Sequence, residues 1–169
     1  VVRATMLLRA NALTKGASGC NPAIVTTLIK TLNAGVVPEI PLQGSVGSSG
    51  DLAPLAHLGL VVYDDGLPAP SGHALYQGEW LSGAEAMSRA GIVRIAPGPK
   101  DGLAMTNGAQ LTTAIAALSL AEGSELLLGA EIAAALSFEA LRGTSRALHP
   151  GVHRLRPYKG AIATASNMR

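Results

Sequence analysis

The sequence contains little cysteine, few aromatic residues and little charge. Its 169 residues include one cysteine, Cys20, so the chain by itself forms neither a disulfide framework nor a cysteine-based zinc site. Aromatic residues make up only 3%, which argues against a protein that binds single-stranded nucleic acid, because base stacking needs several exposed rings. Charged residues make up 14%, well below the roughly 25% of an average soluble domain. We therefore expect other protein to cover much of the surface.

Charge and hydropathy argue against nucleic-acid and membrane partners. The chain carries 13 Lys+Arg against 11 Asp+Glu, and so small and scattered an excess is no electrostatic footprint for nucleic acid or a membrane surface. The longest uncharged stretch, Leu103 to Ala121, has about the length of a membrane span. Its Ser, Thr, Asn and Gln side chains favour a helix packed among other helices instead. The first residues, Val1 to Arg3, show no charged-then-apolar leader, so we expect no secretory signal.

The apolar content predicts a folded core. Hydrophobic residues make up 48% of the chain, which is within the globular range and argues against disorder. A length of 169 residues fits one domain or one piece of a larger domain. Because no internal repeat, low-complexity run or interdomain linker is apparent, we interpret residues 1–169 as a single region.

Local signals predict a mainly α fold. Apolar residues at helical spacing indicate a helix over Val2 to Ala12. A second helix, with Ile24 to Leu32 as its body, is predicted to begin at an Asn21 N-cap with Pro22 at the first helical position. Gly35 lies just past its end, where glycine commonly terminates a helix.

A Gly/Pro-rich segment precedes the third predicted helix. Residues 36–50 cannot be regular, because Pro38 and Pro41 interrupt them and several glycines follow. Asp51 is then expected to cap a helix, in whose first turn Pro54 is tolerated because that turn has no hydrogen-bond partner to lose. The chain therefore presents a loop that leads directly into a helix N-terminus.

The next segment predicts little strand and one short helix. Residues 66–81 are rich in glycine and proline, with a single strand-like piece from Ala74 to Trp80. The sequence Ser82-Gly83-Ala84-Glu85 is a capping box for a helix that runs to Ala90.

The longest predicted helix occupies the second half of the chain. Residues from about Thr106 to Arg142 are almost all helix formers, with an interruption expected near Gly123-Ser124. Their apolar side chains surround the helix axis, which predicts a position inside a helical bundle.

The segment GSVGSSGDLAPLAHL, Gly44 to Leu58, carries the most chemical information. It does not fit a phosphate cradle, because no Gly-Lys-Ser/Thr follows and Asp51 places negative charge where an anion would bind. It does not fit a nucleophile elbow, because the spacing G-x-S-x-G is absent. A plain flexible loop before a helix remains open.

Backbone chemistry offers a fourth interpretation of this loop. In a tight turn, the Gly50 amide nitrogen can approach the carbonyl carbon of Ser48, because glycine lacks a side chain and accepts strained dihedrals. Ring closure with loss of water, together with dehydration of Ser49, would yield a methylidene-imidazolone. This group is an electrophile, which natural side chains do not supply.

The loop GSVGSSGDLAPLAH closely resembles the signature of the aromatic amino-acid ammonia-lyase family. That family comprises histidine, phenylalanine and tyrosine ammonia-lyases and the related aminomutases, and it builds this prosthetic group from Ala-Ser-Gly. Other segments resemble the family in the same order, namely LLRAN at 7–11, GASG at 16–19, YQGEWLSGAEAMSRAGI at 76–92 and KDGLAMTNGAQ at 100–110. The resemblance therefore extends over nearly the whole chain.

The resemblance assigns roles to five residues. Ser48, Ser49 and Gly50 match the prosthetic triad, with Ser49 as the residue that becomes the methylidene carbon. Asn107 matches the family's active-site asparagine, which is expected to hydrogen-bond the prosthetic group or the substrate. Asp51 matches the acidic residue after the triad and is expected to cap the helix and hold the turn compressed. No metal and no external cofactor are expected.

The resemblance also implies a reaction, a fold and an assembly. Family members remove ammonia from an aromatic α-amino acid and leave the α,β-unsaturated acid. The likeness of YQGEWLSGAEA and NGAQ favours the histidine branch, whose product is urocanate, with a phenylalanine or tyrosine ammonia-lyase or an aminomutase as the alternative. The chain is expected to be a helical-bundle fragment of the ammonia-lyase fold from a cytoplasmic homotetramer.

The chain departs from the family in sequence and in length. Ser48 stands where the family usually has alanine, which is chemically admissible because cyclisation uses only the backbone carbonyl. The tyrosine loop that supplies the catalytic base and the substrate-binding Tyr and Arg match no segment here. In HRLRPYKG, Tyr158 and Lys159 depart from the family's usual Arg-Pro-His-Pro-Gly-Gln. A second alternative is therefore an inactive helical piece with a structural or assembly role.

Overall fold

The computed structural model describes residues 1–64, 66 and 70–169. These residues form two compact units, Val1–Leu118 and Ser119–Arg169. Helices predominate in both units, and one small sheet lies in the first, which confirms the prediction of a mainly α fold. The interpretation of 1–169 as a single region of a longer lyase stays a prediction.

Among its described residues, the first unit contains five helices and the beginning of a sixth. In chain order they are α1 (Val2–Thr14), α2 (Ala23–Ala34), α3 (Leu52–Val62), α4 (Gly83–Arg89), α5 (Asp101–Thr106) and α6 (Gln110–Ala140). The Ser82 hydroxyl accepts a hydrogen bond from the Glu85 amide at 3.2 Å, so the predicted capping box at the start of α4 is confirmed in its Ser82 half.

The ends of α2 lie close to the predicted positions. Gly35 terminates the helix in the left-handed conformation, with φ of 78°. The N-cap position is occupied by Pro22, one residue later than predicted. Asn21 still acts as a cap, because its side-chain oxygen accepts a hydrogen bond from the Ala23 amide at 2.9 Å.

A three-stranded antiparallel sheet replaces the single strand-like piece that the sequence predicted. Its strands are β1 (Val37–Pro38), β2 (His73–Tyr76) and β3 (Glu79–Ser82), in that spatial order. The expected strand over 74–80 is in fact a hairpin that turns at Gln77-Gly78, where both residues have positive φ. The two residues of β1 lie within a segment predicted to be irregular, and they pair with β2 through Val37 and Leu75.

Helix α3 is central to the core of the first unit. Leu55 and Leu58 are fully buried in a cluster shared with α1, α2 and α5, whose largest other members are Met6, Ile24, Leu28 and Met105. Val61 is fully buried in a second cluster, formed with Val36, Ala74, Ala86 and Met87. Because α3 is packed from two sides, its N-terminus, and the loop that leads into it, are held in a defined place.

The second unit has few buried side chains. It comprises the remainder of α6, a 3₁₀ turn at Ser145–Leu148, α7 (Pro150–Arg154) and α8 (Lys159–Asn167). Glu131 of α6 accepts hydrogen bonds from Thr164 at 2.5 Å and from Asn167 at 2.8 Å. Among the described residues of this unit, Ala165 alone is buried.

Helix α6 differs from its prediction in three respects. Thr106 ends α5, and residues 107–109 separate it from α6, so the helix begins later than expected. It runs through Gly123-Ser124 without interruption. Most of its apolar side chains are also exposed. Among the described residues, Ala114 is the one buried residue of α6. The expected position inside a bundle is therefore not provided by these residues themselves.

Within the described residues, the segment Asp101–Ala140, which contains α5, the short break at 107–109 and α6, is long and apolar enough by length and composition to cross a membrane. A single stretch of this kind is weak evidence, because core helices of soluble proteins pass the same test.

Candidate active site

The loop before α3 exposes the first two triad residues and half-buries the third. Ser48 and Ser49 are exposed, and Gly50 is of intermediate burial. Gly50 has φ of +103°, a backbone conformation that side-chain-bearing residues rarely adopt. This is the kind of strained turn that the proposed backbone cyclisation requires.

Gly50 is pressed against the backbone of Gly108. A Cβ added to Gly50 would lie 2.6 Å from the Gly108 carbonyl oxygen and 2.9 Å from its carbonyl carbon. The next residue, Asp51, donates its backbone amide to the same Gly108 oxygen at 2.6 Å. Gly50 and Asp51 therefore pack directly against Gly108, the residue that follows Asn107.

The Asp51 carboxylate holds this loop against the start of α6. One oxygen, Oδ1, accepts hydrogen bonds from the hydroxyls of Ser45 and Thr112, both at 2.7 Å. The other, Oδ2, accepts the Thr112 backbone amide at 2.8 Å. Asp51 is fully buried although both partners are exposed residues. Its carboxylate thus connects two segments that lie 61 positions apart in sequence.

The structure corrects the expected capping role of Asp51. The residue occupies the N-cap position of α3, as predicted, but its side chain makes no capping hydrogen bond to that helix. Its hydrogen-bonding capacity is used instead by Ser45 and by Thr112 of α6.

Hydrogen bonding lowers the pKa of Asp51. Burial by itself raises the pKa of a carboxyl group, because it disfavours the charged form. Hydrogen bonds from the Thr112 amide, the Ser45 hydroxyl and the Thr112 hydroxyl outweigh that effect, so the net pKa of Asp51 lies below its ordinary value. The loop is therefore anchored by a carboxylate that stays ionised at neutral pH.

Asn107 lies next to the peptide on which the triad rests. It is exposed and occupies the C-cap position of α5. Its backbone amide donates a hydrogen bond to the Leu103 carbonyl at 2.9 Å. Together with Arg9, Ser18, Lys100, Leu103 and Ala104, it lines a cavity of about 250 Å³. The structure thus brings the sequence-predicted residues 48–51 and Asn107 into one neighbourhood through Gly108.

A different cavity, between α3 and α5, contains none of these residues. Its volume is about 280 Å³, and its lining includes Tyr63, Asp64 and Arg94. Tyr63 donates its hydroxyl to the Asp101 carbonyl at 3.0 Å, and burial together with nearby Asp101 raises its pKa. A phenol with a raised pKa is a poor general base, and the cavity lacks the triad, so this cavity is not the candidate active site.

Arg9, Gly108 and Thr112 are site residues that sequence reasoning missed. Among the described residues, no carboxylate lies within ion-pair distance of Arg9. Its guanidinium instead donates to Gln110 Oε1 at 2.8 Å, to the Asn107 carbonyl at 3.0 Å and to the Ala104 carbonyl. The only sequence signal for these contacts was the position of all three residues inside or beside family-like segments.

The residues present fit a methylidene-imidazolone at 48–50. Gly50 adopts a glycine-only conformation, and the Gly108 peptide fills the space that a side chain would need. No group of three or more His, Cys, Asp or Glu side chains that could hold a metal occurs in the described parts of the chain. The expectation that no metal is needed stays a prediction.

Comparison with known proteins identifies the chain's relatives. The model of the family described as aromatic amino acid lyase matches residues 1–169. The chain is 50% identical to a histidine ammonia-lyase of Alkaliphilus metalliredigens and 51% identical to one of Clostridium tetani. In each case the match covers 99% of this chain and 32% of the relative. The chain therefore spans about a third of the length of these curated relatives.

Solved structures agree with this relationship. The histidine ammonia-lyase of Trypanosoma cruzi superposes with a TM-score of 0.90 at 36% identity, covering 99% of this chain and 32% of that one. A phenylalanine aminomutase of Pantoea agglomerans gives the same TM-score and identity over 99% of this chain and 31% of its own. With a family model that matches from end to end and a site built around the signature loop, this chain belongs to the aromatic amino acid lyase family.

Proposed function

We propose that this chain is the prosthetic-group-bearing section of an ammonia-lyase that converts an aromatic L-amino acid, with histidine favoured, into ammonia and the unsaturated acid, urocanate for histidine. The preference for histidine is supported by relatives at about 50% identity that carry the name histidine ammonia-lyase. A cytoplasmic location is proposed on the same basis.

The observation that carries the proposal is the contact between Gly50 and Gly108. Gly50 lies against Gly108 with φ of +103° and no room for a side chain, and such packing would restrain the turn for attack of the Gly50 nitrogen on the Ser48 carbonyl carbon. That attack forms a carbon–nitrogen bond, and the former carbonyl oxygen leaves as water when the ring acquires its carbon–nitrogen double bond. Loss of the Ser49 hydroxyl and its α-hydrogen releases a second water and creates the methylidene group.

The chain's own residues would hold the group in the following way. Asp51 anchors its C-terminal side through the amide bond to Gly108 and the carboxylate bonds to Ser45 and Thr112. Asn107 precedes Gly108 in the chain, and its side chain would orient the substrate or the group by hydrogen bonding. The N-terminus of α3 follows directly, so its dipole favours negative charge at this place. When present, the group supplies the electrophile that activates the amine as a leaving group.

Substitution of two adjacent serines tests the proposal. In the complete gene product, Ser49→Ala removes the hydroxyl that must leave, so we expect the mass deficit of two waters to disappear. Ammonia release from histidine should fall by about 10³-fold or more, as after loss of a residue essential for covalent catalysis. Ser48→Ala is the matched control, because cyclisation uses only its carbonyl group, and it should retain both the deficit and the activity.

Three outcomes contradict the proposal. An unmodified mass for the wild-type complete protein, together with no ammonia from any aromatic amino acid, favours a purely structural or assembly role for this section. Release of ammonia from phenylalanine or tyrosine but not histidine selects the alternative branch. Conversion to a β-amino acid without ammonia selects an aminomutase, which the similarity to the Pantoea enzyme keeps open.

We also propose that the complete protein is a homo-oligomer, with a tetramer expected. The support is the exposed apolar surface of α6, where Leu126 is 76%, Leu127 61% and Leu128 57% exposed. Three consecutive leucines point in directions about 100° apart, so a single neighbouring surface cannot cover them all. Sedimentation of the complete protein checks this proposal, and a monomer at micromolar concentration contradicts it.

A further inference from the structure

We propose that Arg9 is a positioning residue for the triad. Its guanidinium fixes the carbonyl of Asn107, and through the next residue, Gly108, it holds the backbone of Gly50 in the conformation that cyclises. This inference rests on the function proposed above and adds a residue from α1 to the site.

The Arg9 guanidinium contacts three acceptors. Nη1 donates to Gln110 Oε1 at 2.8 Å, and Nη2 donates to the carbonyls of Asn107, at 3.0 Å, and Ala104. The acceptors lie at the end of α5 and the beginning of α6. A planar guanidinium with several donors in a rigid fork can fix the segment between them, whereas a single ammonium cannot.

Arg9 and Gly50 pack closely around Gly108. A Cβ on Gly108 would lie 2.2 Å from Arg9 Nη1, and a Cβ on Gly50 would lie 2.6 Å from the Gly108 oxygen. The Arg9 guanidinium and the backbone of Gly50 therefore both lie close to Gly108, and neither contact leaves room for a side chain. A shift of the guanidinium releases the peptide against which the turn is pressed.

Burial of the Arg9 charge is energetically unfavourable. Arg9 is 4% exposed, its Nε has no hydrogen-bond partner in the described part of the chain, and burial lowers its pKa. A buried charge without an opposite charge is unfavourable, and an apolar residue of similar volume is often tolerated in its place. Stability alone is therefore a weak reason for an arginine at this position.

Arg9 also acts as a cap for the last carbonyls of α5. If Arg9 had only that role, replacing it would lower the stability of the protein without selectively preventing cyclisation. Arg3 provides the matched control, because it lies on the same helix and donates Nη1 to the Leu32 carbonyl in the last turn of α2, at 3.2 Å.

The experiment compares Arg9→Met with Arg3→Met in the complete gene product. Intact-mass measurement gives the fraction of folded chains that lack two waters, and circular dichroism gives the melting temperature. We expect Arg9→Met to form the group about tenfold more slowly or less completely, because a small displacement of a reacting group has effects of this size. Arg3→Met should form it fully, whatever its melting temperature.

The outcomes separate this inference from the proposed function. If the wild-type protein lacks two waters and folded Arg9→Met lacks them to the same extent, the positioning role is overturned and the proposed function stands. If the wild-type protein itself is unmodified, the proposed function fails and takes this inference with it. If Arg9→Met does not fold, Arg9→Lys decides, with a folded, uncyclised protein supporting the inference and full cyclisation overturning it.

Discussion

The two compact units obtain their order in different ways. In Val1–Leu118 the large apolar side chains of α1, α2, α3 and α5 enclose one another, and Leu55 and Leu58 have no exposed surface. In Ser119–Arg169 the leucines at 126–128 remain exposed, and Ala165 is the one residue buried among those described. Apolar side chains thus form a closed core in the first unit, whereas in the second unit they remain on an exposed surface. Such a surface is typical of a protein interface.

A second contrast lies within the first unit. The interior of the helices is stabilised by apolar packing, whereas the loop at 44–51 is held by the buried Asp51 carboxylate and by the contact of two glycines. Polar anchoring is directional, so it can keep a strained backbone in one conformation, whereas apolar packing mainly determines where elements lie.

Truncation of one leucine in each unit should give the largest difference. In the 169-residue chain, Leu58→Ala removes a fully buried side chain and should lower the free energy of unfolding by about 2–5 kcal/mol. Leu127→Ala, at a position that is 61% exposed, should change it by no more than about 0.5 kcal/mol. Urea denaturation followed by circular dichroism measures both. Equal losses would show that the second unit encloses Leu127 after all.

Two glycine substitutions in the loop should give the next largest effect. Gly50→Ala places a methyl group 2.6 Å from the Gly108 oxygen in a strained conformation, and it should cost about 2–3 kcal/mol. Gly47→Ala has a similar positive φ of +79° but no atom within 4 Å of its Cβ, so only strain of about 1 kcal/mol is expected. The same denaturation measurement distinguishes them, and equal costs would remove the Gly108 contact as the cause.

The pH dependence of Asp51 should give the smallest of the three effects. Because its pKa is lowered in the folded protein, its contribution is fully present above the unfolded-state pKa of about 3.9 and is lost as the pH falls through the lower folded-state value. Asp51→Asn should therefore cost about 1–2 kcal/mol at neutral pH and show a weaker loss of stability below about pH 4.

The measurement is a series of denaturation curves between neutral pH and pH 2 for both proteins. Ser45→Ala serves as the control, because it removes one hydroxyl donor and leaves the two Thr112 contacts to Asp51 in place. Parallel pH profiles for the wild-type protein and Asp51→Asn would contradict the carboxylate's role as the anchor of the loop.

Much of the helical structure was predictable because its signals are local. Asn21 and Gly35 delimit α2 within one or two residues of the expected ends, and Ser82 caps α4 as its motif indicated. The hairpin at β2–β3 was missed because its turn, Gln77-Gly78, is not one of the common pairs for such turns. The break between α5 and α6 was missed although its Asn107-Gly108 pair is a common turn signal, because the helix formers on both sides dominated the prediction.

The candidate site was predictable in its identities and less so in its contacts. Residues 48–50, Asp51 and Asn107 follow from resemblance to family motifs. The partner of Asp51 was assigned incorrectly, because the nearest amides in sequence belong to α3 whereas the observed ones belong to Thr112. The contacts of Arg9 were out of reach for the same reason, since its acceptors are backbone carbonyls and a side-chain amide oxygen about 100 positions away.

The sequence by itself determined the helical composition of this protein, its membership of a family and the three residues that we propose form an electrophile. These properties depend on residue types and short spacings, which are visible along the chain. Only the tertiary structure decided that Gly50 packs against Gly108, that Asp51 binds Thr112 and that Arg9 donates a hydrogen bond to the Asn107 carbonyl. Such contacts arise when packed helices bring distant segments together, and side-chain directions at that scale are not encoded in any local pattern.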